Sequence, residues 1–323
     1  MSKTYGRGNY RYQRADWQVH FPDGWTPVEV NALAIDSQDR LYAFNTGEYP
    51  VTVFDRDGQL LGTWGQGRFG HSHGALIGPD DTVYCTDDGN HTVNRFTLDG
   101  KLLMTLGKKD QPSDTGYTLV DPEGKPIFIM DAIKTTKRGG PPFNSPTGVA
   151  LASNGDIFVS DGYGNARVHK FSPDGTLLKS WGEPGGAPGE FFVPHGIAVD
   201  KDDRVLVVDR HNNRIQIFDT DGNYLTEWTG FELPSDVFID RDQAVYITEL
   251  MPRLSILDTN GNVLARLDNE GTTKEDPLFV TLHSVTVDSR GDVYVAEVMG
   301  IYQNDPFLDT RKTRMIHKFI RQS

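Results

Sequence analysis

The sequence predicts a six-bladed β-propeller, and three observations predict it. A phrase of about 40–50 residues recurs six times. It runs as an alternating apolar strand, a turn, a second strand that usually ends in an acid, a turn, a third strand, Asp-Gly, and then a fourth strand that closes on Leu-x-x-Trp-Gly or a variant of it. The turns are hairpin chemistry, as in SNGD, SPDG, DTDG and DTNG. No segment holds helical periodicity over several turns. Strand units at this spacing, with no helix between them, stack as radial blades.

The units begin at Asn31, His73, Pro146, Pro194, Pro234 and Leu282, and the last resumes at Arg314. That last unit reaches Ser323 without a fourth strand. Residues 9–21, NYRYQRADWQVHF, precede the first unit and alternate like a strand. This N-terminal strand is therefore expected to complete the last blade and close the ring, which removes exposed sheet edges. Residues 1–323 then form a single domain. The repeats resemble NHL repeats over nearly the whole chain, a resemblance specific for fold and weak for function.

Composition bounds the partners. Lys and Arg number 32 against 45 Asp and Glu, a formal net charge of −13, which disfavours nucleic acid and anionic membranes. Cys85 is the single cysteine, so no intramolecular disulfide forms, in keeping with a reducing compartment. The first residues carry no secretory apolar stretch, and no apolar run approaches the ~20 residues of a membrane helix. The expectation is a soluble cytoplasmic protein of open oligomeric state.

Alignment of the units exposes the candidate chemistry. The first position of the innermost strand reads Asn31, His73, Thr147, His195, Ser235, His283. Histidine falls in alternate blades, which sit about 120° apart in a six-bladed ring. Three imidazoles converging with one position open make a catalytic zinc arrangement. The bland alternative is three unrelated histidines. His71, two residues before His73, points the same way on a strand and either supports the ligands from behind or plays no part.

Each second strand returns antiparallel, so the turns after it share the histidine face. Two insertions open there, residues 108–143 and residues 298–313, and long loops of this kind often serve as lids. Lys108, Lys109, Lys134, Lys137 and Arg138 in the first could draw an anionic small-molecule substrate into an otherwise acidic molecule. Tyr163 in DGYGN is a candidate acid/base or oxyanion donor. Arg210 in DRHNN is a candidate anion clamp, or a partner of Asp161 or Asp209. The acids ending the second strands, Asp87, Asp161, Asp209, Glu249 and Glu297, are expected to brace turns.

The stretch from Pro146 to Gly182, followed by FFVPHGIAVD and VDRHNNRIQIF, resembles the peptidyl-α-hydroxyglycine α-amidating lyase family. The resemblance implies a six-bladed propeller holding zinc through His73, His195 and His283. It also implies that Tyr163 is the catalytic tyrosine and that Arg210 contacts substrate. Three departures stand out. The family's arginine in the first blade's turn is replaced by Asn45 and Thr46. The aspartate that helps bind a structural calcium is replaced by Ser284. The cysteine after the tyrosine is replaced by Gly164. The reading is a zinc-dependent lyase acting on a small α-hydroxy-amide or related carbinol. The alternatives are a metal-dependent lactonase or amidase on the same site, and a non-catalytic NHL scaffold.

Overall fold

The computed structural model describes residues 3–25, 27, 29–273, 276–298 and 315–322. Its six antiparallel sheets are the blades of a six-bladed β-propeller, as the repeats predict. Five sheets have four strands and one has five. By contact density the chain divides into two compact units. One comprises residues 1–68, 75–81 and 235–323, the other residues 69–74 and 82–234. The strand Ser72–Ile77 contributes to both.

The first unit holds the predicted closure. Strand Tyr10–Arg14 pairs with Ile316–Arg321 in the register Tyr12↔Arg321, Gln13↔Ile320, Arg14↔Phe319. The preceding strand Thr4–Arg7 adds a fifth member that the alternation did not suggest. Alternation explains what the strand buries. Tyr12 is fully buried among Tyr246, Leu254, Phe279 and Phe319, while its neighbours face outward. A second cluster gathers Val30, Leu33, Phe54, Tyr294 and Ile316. The turns Ser37–Arg40 and Ser289–Asp292 are clasped to neighbours: Ser37 gives its N–H and hydroxyl to Asp81, and Ser289 gives both to Asp39.

The second unit repeats the scheme with strands Pro146–Leu151 to Leu177–Trp181 and Pro194–Val199 to Tyr224–Trp228. Between these two blades Phe158, Val168, Trp181, Phe191, Ile197, Val207 and Phe218 form one core. Ser153 clasps Asp203 through the same pair of bonds.

Four of the five acids at the strand ends accept backbone N–H groups, while Glu249 accepts side-chain bonds from Arg253 and Ser255. Asp87 accepts the N–H groups of Gly70, His71 and Asn90. Asp161 accepts that of Asn144, Asp209 that of Phe192, and Glu297 that of Val280. Burial raises the Asp209 carboxyl above its ordinary pKa, against bonds from Asn212, Phe192 and Arg214 that lower it.

The insertion 108–143 is folded rather than extended. It carries a short hairpin joined by a bridge between Val120 and Pro126, then one helical turn, Ile129–Ala132, and a 3-10 turn, Ile133–Thr135. Ala132 and Ile133 anchor it by burial. The second predicted insertion, 298–313, lies outside the described residues from position 299 onward. Among the described residues no helix is long and apolar enough to cross a membrane.

Candidate metal centre

The histidines of the register each open an inner strand, and all three are buried, at 2–5% exposure. In the second unit, the His73 and His195 rings lie 4.7 Å apart, edge to face. The His73 Nδ1–H donates to the Thr147 carbonyl at 2.8 Å. A carbonyl only accepts, so this bond fixes the tautomer and leaves Nε2 with its lone pair. In the first unit, His283 makes the same arrangement, Nδ1 to the Asn31 carbonyl at 2.7 Å. In both cases the acceptor is the main chain of the residue at the matching repeat position one blade on. The register therefore supplies ligands in one blade and their orienting carbonyls in the next, a role that was not read from Asn31 and Thr147.

The ligand nitrogens of His73, His195 and His283 all lie within 4.8 Å of one another, so the three could hold a metal ion. Ligands tetrahedral about one zinc at ~2.0–2.1 Å stand about 3.4 Å apart, so closing on an ion takes shifts of about an ångström. The donor set fits the chemistry: three buried imidazoles, two of which spend Nδ1 on a main-chain carbonyl.

Tyr163 stands at this cluster. Its hydroxyl lies 3.0 Å from His73 Nε2 and 3.1 Å from His195 Nε2. The DGYGN turn that carries it is tightly built. A Cβ on Gly162 would lie 1.9 Å from the Pro194 carbonyl oxygen, and one on Gly164 would lie 2.3 Å from Asn144 Oδ1. Only glycine fits at either place. The insertion holds the turn from the other side: Thr115 Oγ1 donates to the Gly164 carbonyl at 2.5 Å. Buried Asn144 ties these parts together, giving its side-chain N–H groups to the Ser113 carbonyl and to Thr115 Oγ1. Asn144→Ala strips those acceptors of a donor and should cost about 1–3 kcal/mol, read by denaturant unfolding. Unchanged stability would show that the insertion is held independently of Asn144.

Arg210 follows Asp209, at the same end of its blade as Tyr163 after Asp161. Its side chain is buried at 5% exposure, and its N–H donates to the Val193 carbonyl. Asp209 pairs with Arg214 at 2.8 Å. The next residue, His211, packs on Phe192 with ring centroids 4.9 Å apart. Burial, then the charges of Arg210 and Lys134, pushes its pKa down to about 4. The folded ring is thus neutral where an unfolded histidine begins to protonate near 6.5. Between those values the unfolded chain binds the extra proton, so stability falls as pH falls. Ring resonances followed by NMR should show no His211 titration above pH 5. A midpoint near 6.5 would contradict this environment.

Other expectations resolve as follows. His71 bonds Asp88 at 2.6 Å, and its ring centroid is 6.4 Å from that of His73. The insertion packs against the Tyr163 turn. Its cations are partly matched by its own acids. Lys134 pairs with Asp131 and Arg138 with Asp114, and the segment holds six basic residues against five acidic ones. In the first blade's turn, Asn45 bonds Thr52 and Thr46 bonds Asn31.

The sheets and the histidine cluster define a six-bladed propeller with a candidate metal centre. The NHL repeat model matches residues 143–171 and 193–218. The chain resembles the peptidyl-α-hydroxyglycine α-amidating lyases. It is 30% identical over 227 residues to peptidyl-alpha-hydroxyglycine alpha-amidating lyase 1 of Drosophila melanogaster, covering 62% of this chain and 39% of that protein. It is 42% identical over 110 residues to peptidylglycine alpha-amidating monooxygenase of Rattus norvegicus, covering 32% of this chain and 11% of that one. NHL repeat-containing protein 3 of Homo sapiens is 34% identical over 173 residues, 48% of each chain. The matches thus span less than half the length of these relatives. Among solved structures, a streptogramin B lyase has a TM-score of 0.61 at 14% identity, covering 96% of this chain and 98% of that one. A gluconolactonase from Xanthomonas campestris has a TM-score of 0.62 at 15% identity, covering 98% and 91%. At such identities these two share the fold alone.

Proposed function

We propose that the chain is a zinc-dependent lyase that cleaves the C–N bond of a small α-hydroxy-amide or related carbinol. The observation that carries this reading is the Tyr163 hydroxyl set against two of three clustered, buried histidines. The partial matches to amidating lyases support it. His73, His195 and His283 would hold the ion, which would supply Lewis-acid polarisation of the substrate oxygen.

The remaining work falls to the protein. Tyr163 takes the proton of the substrate hydroxyl as the C–O bond becomes C=O. The C–N bond breaks, and the same tyrosine returns the proton to the amide nitrogen. The products are an amide and a carbonyl compound, and atoms balance without a co-reactant. Arg210 binds an anionic group of the substrate. The insertion, seated on the Tyr163 turn, limits water.

The test is metal analysis of the purified protein followed by carbonyl detection with N-benzoyl-α-hydroxyglycine. One zinc per chain and stoichiometric glyoxylate are expected. Hydrolysis of amides or lactones without a new carbonyl would assign a hydrolase, and absence of any bound metal would end the metalloenzyme reading.

A further inference from the structure

Beside the Tyr163 turn the second unit holds a cleft of about 350 Å³. Its walls come from the insertion, through Ile133 and Thr136, and from the two blades, through Ala166, Phe191, Phe192 and Val193. It is linked through neighbouring residues to three candidate site residues of this unit, Tyr163, His195 and Arg210. Gly162 lines it and precedes Tyr163, and Gly162 packs against Pro194, which precedes His195. Val193 lines it and accepts the Arg210 N–H.

The polar groups at the cleft are mostly spent. Asn165 gives its N–H groups to Asp161 and the Gly140 carbonyl, and Asn212 gives its to Asp209 and the Gly185 carbonyl. Lys134 is paired with Asp131. Thr136 Oγ1 is buried and has no hydrogen-bond partner among the described residues. The cleft thus offers apolar walls, one unspent hydroxyl and no unpaired cation. Its volume falls in the range of small-molecule sites, about 300–1,000 Å³, too small for an extended peptide.

We propose that this cleft is the acyl subsite, taking a compact apolar acyl group of the amide while the carbinol end lies at Tyr163. The assignment rests on the lyase reading for the word acyl, but the apolar preference can be measured without turnover.

The probes are N-benzoylglycine and N-acetylglycine, which lack the α-hydroxyl and cannot react. Binding to the zinc-loaded full chain is measured by calorimetry. Burying a phenyl ring should make the benzoyl compound bind about 10–100-fold tighter. Thr136→Trp fills the cleft and should erase that ratio while leaving N-acetylglycine affinity within about twofold. Should that variant fail to fold, Phe192→Ala removes one wall and should narrow the ratio. Equal binding of both compounds to the native protein overturns the subsite, as does a benzoyl preference that survives Thr136→Trp. A preference that Thr136→Trp abolishes, in a protein that releases no carbonyl product, keeps the subsite and sinks the lyase reading.

Discussion

Replacing Tyr163 by Phe should lower kcat by about 10²–10⁴-fold while leaving the metal content unchanged. The substitution removes one oxygen and keeps the ring, which lies edge-on to His73 and His195 with centroids at 5.2 and 5.5 Å. Packing of the turn is set by Gly162, Gly164 and Asn144, none of which the change touches. What is lost is the one proton carrier placed between two imidazoles. Turnover of N-benzoyl-α-hydroxyglycine and zinc per chain, measured on the same preparation, separate the two roles. Undiminished turnover would remove the tyrosine from the chemistry, and loss of zinc would make it a ligand instead.

His195→Ala should abolish stoichiometric metal binding and all activity. Two imidazoles then remain of three, and the vacated space is buried beside His73 and Tyr163. Zinc that binds only the folded state stabilises it by about 4 kcal/mol at a free concentration a thousandfold above its Kd. The native protein should therefore gain in Tm on zinc addition and lose that gain with a chelator, and the variant should do neither. Elemental analysis and thermal unfolding with and without zinc provide the check. A variant that still holds one zinc per chain would show that the ion sits elsewhere.

The fold was legible because every blade restates it, so an error in one repeat is outvoted by five others. The three histidines were legible for the same reason. Their signal is periodic although no two lie close in sequence. Features outside the repeat were hidden. Nothing in the sequence joins Thr115 to Gly164 or Asn144 to Ser113, since those bonds depend on how an unrepeated insertion folds back. The depressed pKa of His211 was missed because part of its environment, Phe192 and Lys134, comes from segments remote in sequence. The pairing of Lys134 with Asp131 was legible, since the two stand one helical turn apart.

The orienting partners of His73 and His283 are main-chain carbonyls, of Thr147 and Asn31. A side-chain orienter can be deleted by a single codon change, whereas a carbonyl survives every substitution at its position. The tautomer of these two histidines is thus buffered against mutation at the residues that set it. Threonine and asparagine serve equally because their side chains are not what is used. The genetic fragility of this orientation is concentrated in the imidazoles themselves.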